Sequence, residues 1–344
     1  MTARAFITGL AGATLTQEER AFLRASDPWG LIVFKRNIET PDQVRALTAS
    51  FREAVGRDAP VLVDQEGGRV QRLGPPHWPV YPPGAAYSRL YDESATKGTK
   101  AAYLGARLIA ADLVAVGIDV DCLPLADVPV AGANAVIGDR AYGDDPVKVA
   151  VIARSVAEGL LAEGVLPVLK HIPGHGRPTV DSHGDLPVVD TDHAVLMRTD
   201  FAAFRPLGDL PLGMTAHVVY TAIDPLAPAT TSATLVRNVI REWLGFRGLL
   251  MSDDISMGAL SGPIDQRSRA AIAAGCDVVL HCNGQLDEMR EVAAAVPELA
   301  GEAAARADAA LARRGTRRTG DLAALRAEWT ALMQRPANAA GAPA

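Results

Sequence analysis

Apolar residues in this chain fall into eight short runs, separated by longer stretches whose apolar positions recur with helical period. The runs are RAFITGL (4–10), GLIVFK (30–35), PVLVDQ (60–65), GIDVDCLP (117–124), LPVLKH (166–171), PLGMTAH (211–217), GLLMSDD (248–254) and CDVVLHC (276–282). Each has the length of a strand and little polar alternation, the pattern of strands buried on both faces. The helical stretches include TQEERAFLRASD (16–27), TPDQVRALTASFREAV (40–55), GTKAAYLGARLIAADLVAV (98–116), DPVKVAVIARSVAEGLLAE (145–163), SATLVRNVIREWL (232–244), IDQRSRAAIAAG (264–275) and QLDEMREVAAAV (285–296). Several open on Thr, Ser or Asp followed by Pro, Glu or Gln, which supplies side-chain caps for the first helical N–H groups. Buried strands alternating with helices predict a parallel sheet covered by helices.

Polar residues recur where the runs end: Asp64, Asp121, Lys170, His171, His217, Asp253 and His281. A closed barrel gathers every such end into one ring and builds its active site there, whereas an open sheet uses mainly the ends beside its switch point. The first turn, TGLAGATL, matches a phosphate-binding glycine loop poorly. The expectation is an α/β fold, a single (β/α)8 TIM-type barrel. Residues 301–333 are predicted to add C-terminal helices outside it. One domain is expected over 1–335, followed by a tail, 336–344, with no pattern to bury.

Composition narrows the function. Of 344 residues, 49% are hydrophobic and 22% charged, enough for a sizeable core. The net charge of -6 gives no electrostatic surface for nucleic acid or an anionic membrane. No run reaches the about 18 apolar residues of a membrane-spanning helix, and the N-terminus lacks a leader-like apolar stretch. Cys122, Cys276 and Cys282 sit in or beside apolar runs and are odd in number, so free thiols in a reducing compartment are expected. The protein is read as cytoplasmic, and as a monomer because no segment presents an obvious apolar interaction face.

Four segments carry the chemistry. DQEGGRVQR (64–72) places a carboxylate at a strand tip, then two glycines and two arginines suited to a polar ligand. GDRAYGDDP (138–146) offers Arg140 among turn and cap aspartates. In KHIPGHGRPTVDSHGDLP (170–187), Asp181 and His183 would point the same way on extended backbone, giving a carboxylate-oriented histidine fit for proton transfer. In MSDDISMG (251–258), Asp253 should project into the barrel mouth while Asp254 points elsewhere or caps the next segment. Zinc is the competing reading, since His171, His175, His183, His217, Asp181 and Asp253 supply ligands enough. The sequence has no H-E-x-x-H and no C-x-x-C, and Lys170 would place a positive charge beside any cation.

Taken in order, GLIVFKRNIE, DQEGGRVQR, GIDVDCLPLADV, AVIGDRAYGDDP, KHIPGHG, DSH, LPLGMTAHVVY, GFRGLLMSDDISMGAL and AAGCDVVLHC resemble the family 3 glycoside hydrolases. The likeness spans most of residues 6–285 and is greatest to the single-domain bacterial β-N-acetylglucosaminidases that act on cell-wall fragments. It implies Asp253 as nucleophile, His183 as general acid/base with Asp181 as its partner, and Asp64, Arg72, Arg140, Lys170 and His171 as ligands of the N-acetylglucosamine unit. It also implies a saccharide or muropeptide substrate, no metal or other cofactor, and a mobile loop after PGH that delivers the Asp181–His183 pair. The stretch RPTV (177–180) departs from the family pattern.

Overall fold

The structure, a computed structural model, describes residues 3–315 and 321–334; the expected tail lies outside the described residues. Eight parallel strands close a barrel: β1 (Arg4–Thr8), β2 (Pro28–Val33), β3 (Val61–Val63), β4 (Val120–Asp121), β5 (Leu166–Ile172), β6 (Leu212–Thr215), β7 (Leu249–Asp254) and β8 (Val278–His281). Each lies beside its successor in sequence, and β8 returns to β1 with Phe6 opposite Val279 and Thr8 opposite His281. All eight apolar runs are therefore strands of one barrel. Every residue of β2, β3 and β5 is buried, as two-sided burial requires.

The helices form where caps and apolar stripes coincide. α1 (Gln17–Ser26) begins with a reciprocal capping box, the Thr16 hydroxyl accepting from Glu19 N and the Glu19 carboxylate from Thr16 N. α2 (Pro41–Val55) opens on Thr40 and Pro41 and ends at Gly56, whose positive φ of 71° suits glycine. α3 (Ala95–Val114) and α4 (Pro146–Ala162) pack side by side, and Asp145 caps the latter through Lys148 N at 2.8 Å. A ten-residue helix, Gly84–Glu93, precedes α3, and further helices are α5 (Leu235–Trp243), wound in looser π geometry, α6 (Ile264–Ala274) and α7 (Leu286–Ala295). Between β5 and β6 lie the 173–187 loop, a two-residue strand Val188–Val189, the short helix His193–Arg198 and one 3₁₀ turn, Arg205–Leu207. Two C-terminal helices, α8 (Gly301–Leu311) and α9 (Leu322–Met333), lie outside the ring, α9 against α3.

At the N-terminal end of the barrel, Asp119 accepts from Val61 N at 2.7 Å, Arg52 Nη2 at 3.2 Å and Arg314 Nη1 at 2.7 Å. This network ties β3, α2 and the end of α8 together, away from the ring of polar tips. Cys122, Cys276 and Cys282 are free thiols, and among the described residues no helix is long and apolar enough to cross a membrane.

Candidate active site

The ring of strand ends surrounds one cavity of about 440 Å³, lined by Asp64, Arg72, Arg140, Lys170, His171, Asp181, His183 and Asp253 among others. The eight residues to which the family resemblance assigned catalysis or binding all line it, whereas the strand-end residues Asp121, His217 and His281 do not. The polarity of strand tips is responsible: Asp64 follows β3, Lys170 and His171 lie at the end of β5, and Asp253 lies at the end of β7.

At one wall, cations and carboxylates alternate. Lys170 is only 2% exposed, and its ammonium reaches Asp64 Oδ1 at 2.8 Å and Glu66 Oε1 at 2.7 Å. Arg72 Nη2 donates to Asp64 Oδ2 at 3.0 Å. Arg140 grips Glu66 with two parallel bonds, Nε and Nη2 each at 2.8 Å, and donates a third to the Val136 carbonyl. Burial pushes the Asp64 and Glu66 carboxyls up, but the neighbouring Lys170 ammonium, with Arg72 and Arg140, outweighs it and holds both below the usual range. Burial would lower Lys170, and the same two carboxylates raise it instead. The wall thus sets three cations against two carboxylates, each pair favouring the charged forms.

Arg72 and Glu66 are held by a hairpin, Gln65–Gly67 against Val70–Gln71, directly after β3. Gly67 has φ 91° and passes the Pro82 carbonyl so closely that a Cβ would lie 2.3 Å from that oxygen. Glycine is required there on both counts. Glu66 escapes a reading of the sequence because Asp64 is the evident tip; an acidic residue two positions on, inside the same turn, is the available signal.

His171 faces the cavity with its orientation fixed from behind. Its Nδ1 lies 2.7 Å from Asp127 Oδ2, and the same buried carboxylate accepts from His171 N at 3.3 Å and His175 N at 2.6 Å. Burial raises the Asp127 carboxyl, but the His171 and His175 groups outweigh it and lower its pKa. Asp127 escapes the sequence pattern as well. It stands alone in the apolar stretch PLADVPV (124–130), and only the folded chain brings it beneath β5.

Asp253 stands at the end of β7. Burial raises its pKa, but the His217 and His171 rings, the Asp254 amide at 2.8 Å and the Lys170 ammonium together hold it below the ordinary aspartate value. Asp254 does cap, as expected: its carboxylate accepts from Ser256 N, Ser256 Oγ and Cys282 N. His217 is wholly buried, with Nδ1 2.7 Å from Thr230 Oγ1 and Nε2 donating to the Asp254 carbonyl at 3.0 Å. It braces the backbone beside Asp253.

Across the mouth, His183 Nδ1 lies 2.7 Å from Asp181 Oδ1. The pairing arises differently from the expectation. The backbone is not extended here; residues 181–185 form a turn, with Gly184 N and Asp185 N both bonded to Asp181 O. Asp181 Oδ1 also accepts from His183 N at 3.0 Å, so a side-chain-to-backbone turn sets the geometry rather than strand alternation. Burial slightly opposes ionisation of Asp181, but the His183 amide and ring outweigh it and lower its pKa. The His183 side chain is 71% exposed and lines the cavity, and its bond to Asp181 uses Nδ1, leaving Nε2 for a ligand.

The sequence model of the glycosyl hydrolase family 3 N-terminal domain matches residues 7–314. A beta-hexosaminidase of Alkalilimnicola ehrlichii is 41% identical over 279 residues, 80% of this chain and 79% of its own length. One from Methylobacillus flagellatus is 39% identical over 300 residues, 86% of this chain and 84% of its own. Among solved structures, that of NagZ from Neisseria gonorrhoeae in complex with N-trifluoroacetyl-D-glucosamine superposes with a TM-score of 0.84 at 30% identity, covering 97% of this chain and 96% of that one. Family model, relatives and barrel agree: the chain belongs to glycosyl hydrolase family 3 and is a glycoside hydrolase.

Proposed function

We propose that the protein is a retaining β-N-acetylhexosaminidase that removes a non-reducing, β-linked N-acetylglucosamine from muropeptides in peptidoglycan recycling. The observation that carries the reading is the pairing, across one cavity, of a half-buried carboxylate at Asp253, its pKa held low, with an exposed imidazole at His183 whose Nδ1 is held by Asp181. Asp253 attacks the anomeric carbon while His183 gives a proton to the leaving oxygen. His183 then takes a proton from the water that cleaves the glycosyl-Asp253 ester, so configuration is retained. Asp181 keeps the imidazole oriented through both steps.

A sugar is neutral and rich in hydroxyls, each able to donate and accept. The wall of Asp64, Glu66, Arg72, Lys170 and Arg140 sets acceptors and donors side by side, which suits such a ligand. His171 adds the ring nitrogen that Asp127 leaves free. The similarity to the beta-hexosaminidases and to NagZ supports the sugar assignment. The chain acts as a single domain and a single copy, without a metal, and the free thiols suit the reducing cytoplasm.

The test is hydrolysis of 4-nitrophenyl N-acetyl-β-glucosaminide by the wild type, Asp253→Ala and His183→Ala, each with and without EDTA. Wild-type turnover should survive EDTA and vanish in Asp253→Ala. His183→Ala should lose about 10²-fold or more, the usual contribution of a positioned acid/base. Loss of wild-type activity to EDTA would transfer the site to a metal-assisted reaction, and unimpaired Asp253→Ala would remove the nucleophile assignment.

A further inference from the structure

Ser182 is turned opposite to its neighbours. Asp181 and His183 expose 46% and 71% of their side chains, while Ser182 is 3% exposed and its Oγ lies 3.1 Å from His175 Nε2. His175 is itself buried, with its backbone N–H fixed on Asp127 at 2.6 Å. Its Nδ1 has no partner among the described residues, and burial, with the His171 ring, lowers its pKa. The tautomer protonated at Nε2 and donating to Ser182 Oγ leaves only a lone pair unsatisfied, a smaller cost than an orphaned buried N–H.

A second contact grips the same turn from the other side. Gly258 N donates to His183 O at 3.1 Å, and Ala259 N donates to Ser182 O at 3.2 Å. A Cβ on Gly258 would lie 2.7 Å from Gly184 O and 2.9 Å from His183 O, so the turn rests directly on glycine backbone. Residues 258 and 259 come after β7, and Met257 N bonds back to Asp254 O. The turn carrying His183 is therefore clamped between the loop that ends β5 and the loop beyond Asp253.

We propose that His175, Ser182 and Gly258 are positioning residues that latch the Asp181–His183 turn over the cavity, setting the point at which His183 meets the glycosidic oxygen. The inference rests on the role given to His183 above. The latch touches no substrate. It acts by fixing the acid/base relative to the nucleophile, because one of its two jaws is the nucleophile's own loop. A misplaced acid matters most for a leaving group that needs its proton and least for one that departs unaided.

The experiment measures kcat/KM, which reports the first bond-breaking step, for phenyl and 2,4-dinitrophenyl N-acetyl-β-glucosaminides with the wild type, Ser182→Ala, Gly258→Ala and His183→Ala. Ser182→Ala and Gly258→Ala should lower the phenyl value by about tenfold or more, and the dinitrophenyl value by less than about threefold, a smaller version of the His183→Ala pattern. Equal losses on both substrates, or no loss on either, would overturn the latch. If Gly258→Ala does not fold, Ser182→Ala decides alone, since it removes one oxygen and adds nothing. A His183→Ala variant indifferent to the leaving group would instead overturn the acid/base assignment, so the two failures are separable.

Discussion

Asp127 fixes two buried histidines from one position. One carboxylate holds the His171 ring, the His171 amide and the His175 amide, and it has no exposure of its own. Asp127→Asn keeps the shape but replaces an acceptor oxygen with an NH2 group, setting a donor against a donor. The cost of one buried mismatch is about 1–3 kcal/mol. If it falls on ligand binding, kcat/KM should drop by about 5- to 150-fold, with stability lowered by a comparable amount; steady-state kinetics and denaturant unfolding measure the two. Unchanged kinetics would mean that His171 does not need this carboxylate. At this scale the sequence was readable where a residue ended an apolar run, as at Asp64, Lys170 and Asp253. It was silent where a charge sat inside one, as at Asp127, because nothing in the local pattern distinguishes a buried acid with partners from an accident of composition.

Among the elements, β5 shows most directly how a strand delivers chemistry. Its seven residues are all buried, including Lys170, whose charge is tolerable only because Asp64 and Glu66 face it. Lys170→Met should cost about 3 kcal/mol at pH 7, toward the lower end for a broken buried pair because Arg72 and Arg140 remain. The pH effect has a definite sign. In the wild type the two carboxyls have lowered pKa values, so their stabilisation is complete above about pH 4–5 and fades as pH falls through the folded values. Without the ammonium their folded pKa values rise. The stability gap between wild type and variant should therefore narrow as pH drops below about 5, measured by urea unfolding at pH 7 and about pH 4.5. A gap that stayed constant would show that Lys170 does not hold these carboxylates ionised. The strands and main helices were legible because their apolar periods differ. The 181–185 turn was not, since a side chain bonding its own backbone two residues on leaves no periodic trace.

For the molecule as a whole, the two ends of the barrel divide the work. The Asp119 network with Arg52 and Arg314 binds strands and helices at the N-terminal end, and the polar tips line the cavity at the other. Eight short runs were enough to foresee the ring, because consecutive parallel strands with covering helices have few ways to close. Which loops rest on which could not be foreseen, since the contact between residues 182–183 and 258–259 depends on the finished barrel. The closed ring has a consequence for how the catalyst behaves in solution. All eight side chains proposed for binding and chemistry are drawn from one chain, so no encounter between copies is needed to assemble them. Turnover per molecule should stay constant as the protein is diluted over several decades of concentration, monitored with a fluorogenic N-acetyl-β-glucosaminide. A fall on dilution would reveal a second copy contributing to the site; a flat line would mean that each barrel, however sparse, is a complete catalyst.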